Sequence, residues 1–198
     1  MGRSMNRPRG TDLRRAMLGA IALYALATAA CHRDNALTGC PGAEGAAIDQ
    51  PTMAFLSIAR ALHHEADIDE SRGDLPGAIA VLERLVTTAA PRAAEADEVL
   101  ADAHARLAEL RLKGRDLDGA SLAVNAGLQH AREPTYFRGH LIEVQGLVEE
   151  ARANALADAG KTQEAMQAKG KAMGLLEQAV RLQKQVIERA LADGGSDD

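Results

Sequence analysis

Aromatic side chains are almost missing from this sequence. Its 198 residues include two Phe, two Tyr and no Trp. Because β-sandwiches and barrels rely on aromatic and β-branched residues, this composition argues against an all-β fold. It also nearly excludes the aromatic platforms on which single-stranded nucleic acid stacks. Alanine is abundant instead, with 41 residues, which favours helices that pack closely through small side chains.

Acidic residues outnumber basic ones outside the N-terminus. Residues 1–31 contain five arginines against Asp12 alone, whereas the remainder contains 18 basic and 27 acidic residues. Phosphate binding requires clustered Lys and Arg. We therefore expect neither DNA nor RNA to be a partner of the main part of the chain.

The N-terminal segment has the three parts of an export signal. A basic stretch from Arg7 to Arg15 runs into AMLGAIALYALATAA at 16–30, an apolar run that ends in small side chains. The run is shorter than the roughly 20 residues that a membrane-spanning helix needs. We therefore expect residues 1–30 to be a signal peptide rather than a transmembrane anchor.

Cysteine is also scarce, and Cys31 directly follows Thr28-Ala29-Ala30. This arrangement resembles the lipobox of bacterial lipoproteins, in which small residues precede a cysteine that is diacylated and becomes the new N-terminus. The resemblance implies lipidation of Cys31, which would attach the protein to a membrane. Thr28 departs from the family, which usually has Leu or another aliphatic residue there. His32 in the next position, instead of Asp, implies the periplasmic side of a Gram-negative outer membrane.

Ordinary cleavage after Ala27-Thr28-Ala29 is the alternative, and it would give a soluble periplasmic or secreted protein. Cys31 would then be a plain thiol that could pair with Cys40, because disulfides form outside the cytosol. A lipidated Cys31 could not form that bond. In neither case do two Cys and one His complete a closed zinc site.

Two segments lack helical periodicity. Residues 31–51 contain Gly and Pro at irregular intervals, which predicts a flexible tether between the lipid and the folded part. The tail, 192–198, is rich in Gly and Asp, and we expect it to be disordered.

From Phe55 onward, apolar residues recur at helical spacing, and no alternating strand pattern competes. Gly73-Asp74, Gly114-Arg115-Asp116 and Gly160-Lys161-Thr162 each offer a helix stop followed by a cap, with Thr162 as the cap in the third. Prolines 91 and 134 begin the two remaining helices. The pattern predicts an all-α domain over 52–191 with six helices, at about 52–72, 75–89, 92–113, 117–131, 135–159 and 162–191.

A repeat emerges when the three helix–helix turns are aligned. RGDLPGAIAVLERL, GRDLDGASLAVNAG and AGKTQEAMQAKGKA match at Ala78, Ala120 and Ala165, and another alanine precedes each by twelve residues, at Ala66, Ala108 and Ala153. Small residues at this spacing on the two arms of a helical hairpin resemble the tetratricopeptide repeat. The resemblance implies an α-solenoid of about three stacked antiparallel hairpins.

The repeat departs from the family in three ways, one of which is that Arg152 and Lys169 occupy positions of the third hairpin where apolar residues are expected. Its hairpins are 42 and then 45 residues apart, so it is closer to long variants with extra helical turns. The family's large aromatic positions are empty. The alternative is an Ala-rich bundle in which the alignment arises by chance.

The last predicted helix is longer than the second helix of an ordinary repeat. We expect its first half to pack on the helix at 135–159 and cap the stack. Its second half, from about Leu182, is expected to extend beyond that helix. This end would either fray or dock on a partner or a second copy.

Signals for catalysis are weak. Adjacent helical residues such as His63 and His64 point about 100° apart, so their imidazoles cannot easily share one ion. No G-x-S-x-G turn and no phosphate-cradling glycine loop is present. The acid pairs Glu149-Glu150 and Asp67/Glu70 are interpreted as solvated side chains. We expect a non-enzymatic protein without a metal or cofactor.

The tetratricopeptide resemblance implies that function lies on a concave face lined by the first helix of each hairpin. That lining is more acidic than basic and lacks the Lys/Asn-rich clamp of some family members, which favours a basic or neutral partner segment. The implied function is a membrane-tethered protein-interaction scaffold that assists assembly of an envelope complex. A periplasmic helical ligand-binding or regulatory protein is the alternative. No motif specifies the partner or the oligomeric state. The expected lining residues are Arg60, His63, Asp67 and Glu70, then Asp102, Glu109 and Lys113, then Glu150, Asn154 and Asp158.

Overall fold

The computed structural model describes residues 49–193. Over this range the chain forms six α-helices and no strand, which confirms the predicted all-α fold. Every helix end lies within two residues of its predicted position. The helices are α1 (Gln50–Ser71), α2 (Leu75–Thr87), α3 (Ala94–Lys113), α4 (Leu117–His130), α5 (Tyr136–Asp158) and α6 (Thr162–Asp193).

The described residues test only part of the predictions for the two ends of the chain. The expected signal peptide, Cys31, Cys40 and most of the tether lie outside the described residues, as does 194–198. Both ends of the predicted helical domain, 52–191, differ in the structure. Gln50 and Pro51, which we expected in the tether, belong to the first turn of α1, because Asp49 caps that helix by accepting a hydrogen bond from the Thr52 amide. Ala192 and Asp193, which we expected in the tail, are helical.

The turn inside each hairpin has the same backbone geometry. Gly73, Arg115 and Gly160 have φ angles of 80°, 63° and 75°. In all three turns the next amide donates to the carbonyl five residues earlier, at 2.9 Å. This is the Schellman motif that ends a helix at a left-handed residue. The motif recurs at the same spacing as the aligned alanines.

The caps that follow these turns are specified by the residue after the left-handed one. Asp74 and Asp116 occupy that position and accept hydrogen bonds from the amides of Gly77 and Gly119. In the third turn the position belongs to Lys161, and α6 begins at the next residue. The prediction that Thr162 caps α6 is therefore wrong by one residue.

The helices of the described range pack in two layers. The layer of α1, α3 and α5 is continuous, because α3 contacts both of its neighbours. Each of α2 and α4 packs against its own hairpin partner and against the first helix of the next hairpin. Among the described helices, the last one, α6, packs only on α5. One face of the α1–α3–α5 layer is therefore left to carry side chains from all three hairpins.

Small residues allow these close helix pairs. Ala66, Ala78, Ala108 and Ala120 are buried in one cluster with Leu82 and neighbouring aliphatic side chains from the first two hairpins and α5. Ala153 and Ala165, the third pair, are also buried. The predicted repeat positions thus lie in the core.

Candidate functional site

A network of charged side chains covers the face of α1 and α3, where the lining was predicted. Arg106 lies at its centre. Its guanidinium donates to Glu70 on α1, and its Nη atoms lie 3.6 Å from Asp67 and 3.5 Å from Glu109. On the same face, the Lys113 ammonium lies 3.0 Å from the second carboxylate oxygen of Glu70. We name these five residues the Arg106 cluster.

Arg106 was not among the predicted lining residues, although its position in the sequence indicates this face. It lies four residues after Asp102 and three before Glu109, which places it on the same side of α3. Its charge offsets part of the acidic lining. The interpretation of Glu70 as a solvated carboxylate is wrong, because its side chain is only 21% exposed and pairs with two cations.

His140 extends the network from α3 to α5. Its Nε2 lies 3.1 Å from Oε1 of Glu109, and because a carboxylate only accepts, that nitrogen donates. The hydrogen bond raises the pKa of His140, and the negative charges of Glu109, Glu143 and Asp102 act in the same direction. The same bond lowers the pKa of Glu109, assisted by Arg106. Both directions favour a charged pair.

The other predicted lining residues occupy different positions. His63 approaches Asp102 on α3, with 3.9 Å between Nε2 and Oδ2. Arg60 is exposed one turn earlier on α1 and forms none of the ion pairs found within 49–193. Glu150, Asn154 and Asp158 lie on α5, beyond the Arg106 cluster.

A groove between α3 and α5 collects these α5 residues. Its volume is about 530 Å³. Lys113 and Arg115 line it from the end of α3 and the following turn, opposite Glu150 and Asp158, so the cationic and anionic groups balance. The predicted excess of acid does not hold in this groove. The remaining lining residues are Leu112, Leu117, Leu147, Ala151, Asn154 and Ala155.

Glu149 was interpreted as solvated, and this was wrong. It is 7% exposed and is not among the residues that line the groove. Its carboxylate accepts from the Lys171 ammonium on α6 at 2.8 Å. Glu150, the next residue, is exposed as expected. Adjacent helical residues project about 100° apart, so an acid pair in the sequence need not share an environment.

A second cavity lies where the start of α3, the end of α4 and the start of α5 meet. Its volume is about 590 Å³. His130 lines it and contacts Asp97 at 2.8 Å. The ring of His104 stacks on that of His130 with centroids 5.8 Å apart. Burial lowers the pKa of His104 to about 4, and the positive charges of His130 and Arg111 add to the effect.

No group of three or more His, Cys, Asp or Glu side chains between 49 and 193 is arranged to hold a metal ion. No helix of this region combines the length and the hydrophobicity that crossing a bilayer requires.

Comparison of the chain with protein-family models, curated proteins and solved structures finds no match.

Proposed function

We propose that this protein is a non-enzymatic protein-interaction scaffold of the bacterial cell envelope, and that the groove between α3 and α5 holds a segment of its partner. The observation that carries this proposal is the groove itself. It combines an apolar floor around Leu147 with cations on one wall and carboxylates on the other. Such a surface offers burial together with directional hydrogen bonds, the combination that interaction surfaces use.

The arrangement of the hairpins supports a tetratricopeptide-like stack. The recurring Schellman turns, the buried alanine pairs and the layer of first helices all have counterparts in the repeat pattern. In such stacks, neighbouring repeats jointly build an extended binding surface. The balanced charges of the groove suit a neutral segment, or one that carries both signs.

Blocking the groove tests this role. Ala155 is exposed and lines the groove, so Ala155→Trp should fill it and reduce capture of the partner in a cross-linking pull-down. Ala80→Trp is the matched control, because Ala80 is exposed on α2, away from the groove. Equal capture by both variants would contradict the proposed site.

We propose that the scaffold is anchored through a lipid on Cys31 and faces the periplasm from the outer membrane. The support is the basic and apolar segment before Cys31 and the small residues that precede it. Mass spectrometry of the mature protein should then find acyl groups on Cys31, and Cys31→Ala should release the protein from the membrane fraction. An unmodified mature N-terminus at Ala30 would contradict the anchor.

A periplasmic ligand-binding or regulatory role is the second candidate. The cavity beside His130 favours it, because about 590 Å³ lies within the range of small-molecule sites. Native mass spectrometry of the purified protein distinguishes the two roles. A bound small molecule that is lost in His130→Ala would favour this role over the scaffold.

A further inference from the structure

One side of α6 carries an apolar stripe with a seven-residue period. Met166, Met173, Val180 and Ile187 are 65%, 56%, 68% and 59% exposed. A seven-residue period keeps side chains on one seam when two helices wrap around each other. Such a seam in a described helix that packs only on α5 requires an explanation.

The repeat alignment indicates that this stripe lacks the packing partner that equivalent residues have in the other hairpins. Met166 and Met173 align with Ile79 and Val86 of α2, by the same register that matches Ala165 to Ala78. Those two residues are partly buried against the core, and α3 packs on α2. Leu128 of α4 aligns with Val86 and is also partly buried. The stripe on α6 therefore occupies the position on which a further helix would stack.

A groove adjoins the stripe and shares Val180 and Ile187 with it. It lies between α5 and α6, has a volume of about 390 Å³ and is mostly apolar. Its lining residues are Glu143, Leu176, Ala179, Val180, Gln183, Lys184 and Ile187.

The length of α6 indicates that a second copy of the same helix covers the stripe. The Gln183 amide donates to the Tyr136 carbonyl at the start of α5, so residues 184–193 extend beyond α5 by roughly 15 Å. The midpoint of the stripe lies between Leu176 and Glu177, close to the middle of α6. A two-fold axis at that point would place Met166 opposite Ile187 of a second copy. The two helices would then overlap along nearly their whole length, including the extension.

We propose that α6 mediates an antiparallel homodimer in which two stripes pack against each other. The stripe and Leu191 expose on the order of 500 Å² of apolar surface, as large as the largest patches on most monomers. With the flanking polar side chains, each copy would bury close to the roughly 800 Å² of a standard interface. A two-fold interface uses the same patch on both subunits, and this stripe is such a patch. The proposal is independent of the groove between α3 and α5.

Light scattering during size-exclusion chromatography of the full chain tests the dimer. Met173→Glu combined with Val180→Glu places charges in the seam and should weaken dimerisation at least about tenfold. The matched control is Gln178→Glu with Gln185→Glu, which adds the same charge on another exposed side of α6 and should remain dimeric. Circular dichroism should find both variants folded. A monomeric wild-type chain at tens of micromolar, or equal dimerisation of both variants, would overturn the proposal.

Disulfide trapping tests the antiparallel direction in a chain that carries Cys31→Ser and Cys40→Ser. Met173→Cys with Val180→Cys should form a covalent dimer under mild oxidation, because the two positions face each other across the axis. Within one helix they lie about 10.5 Å apart, too far for an internal disulfide. Met173→Cys alone should not cross-link efficiently. Efficient cross-linking of the single variant would indicate a parallel pair, and cross-linking to a different protein would identify a heterologous partner; either result overturns the proposal.

Discussion

His140 donates a hydrogen bond from Nε2 to Oε1 of Glu109 over 3.1 Å, and this bond joins α5 to α3 at the edge of the Arg106 cluster. Glu109 also lies within 3.5 Å of Arg106, which pairs with Glu70 on α1. Charged contacts therefore run across the first helices of all three hairpins. The face that the groove adjoins is held together by ion pairs as well as by the core beneath it.

The stabilising effect of the His140–Glu109 pair should depend on pH. Because the pKa of His140 is raised in the folded state, its contribution is complete below about pH 6.5 and is lost as the pH rises through the folded-state pKa. Because the pKa of Glu109 is lowered in the folded state, its contribution is lost as the pH falls through that lowered pKa. His140→Gln should therefore lower the free energy of unfolding by about 0.5–1 kcal/mol near pH 6 and less at pH 9.

Urea unfolding at several pH values measures this effect. The control is His64→Gln, because His64 is an exposed residue on α1. A destabilisation by His140→Gln that is the same at pH 6 and pH 9 would mean that packing, not the ion pair, is responsible.

Protonation of His104 should lower the stability of the fold, whereas protonation of His140 raises it. His104 is buried, its Nδ1 has no hydrogen-bond partner within the described residues, and its pKa is lowered to about 4. Protonation therefore favours the unfolded chain, and stability is lost as the pH falls from about 6.5 towards 4. We expect this loss to be on the order of 2 kcal/mol. His104→Gln should flatten the pH dependence over that interval, and an unchanged slope would assign the acid sensitivity to other groups.

The alanine pairs should not tolerate enlargement. Ala108 is completely buried in the core shared by the hairpins, so Ala108→Leu should overpack it and cost about 1–3 kcal/mol. Ala94→Leu is the control, because Ala94 is exposed in the first turn of α3. Thermal and urea unfolding would compare the two variants. Equal, small effects would refute the close approach of the paired helices.

The sequence was sufficient for the helices and the repeat because those depend on local signals. Periodicity, glycine turns and aspartate caps act within a few residues, and they placed each helix end within two residues of its position in the structure. The ion pairs could not be obtained in the same way. Arg106 meets Glu70 across 36 residues, and the burial of Glu149 depends on which side of α5 faces α6. Such pairings follow from the rotation of each helix in the stack, which periodicity constrains only approximately.

Glycines inside the helices should separate packing from helix propensity. A Cβ at Gly127 would lie 2.7 Å from Leu141 and 2.8 Å from His104, whereas a Cβ at Gly174 would meet nothing within 4 Å. Gly174→Ala should therefore stabilise the protein by up to about 1 kcal/mol through propensity alone. Gly127→Ala should instead destabilise it by about 1–3 kcal/mol through overpacking. Stabilisation by both substitutions would mean that α4 does not pack as closely as described.

Arg115 offers a test of the repeated turn. It has a φ of 63°, whereas the equivalent residues in the other two hairpins are glycines. A side chain in the left-handed region costs about 1–2 kcal/mol, and glycine avoids this cost but is more flexible when unfolded. Arg115→Gly should therefore raise the free energy of unfolding by about 0.5–1 kcal/mol. Arg115→Ala removes the same side chain but keeps the Cβ, so it should change the free energy of unfolding little. Gly160→Ala should lower that free energy, because it places a Cβ on a residue with a φ of 75°. Urea unfolding of the three variants provides the measurement; if Arg115→Gly and Arg115→Ala were equally stable, the difference would lie in the arginine side chain and not in the backbone of the turn.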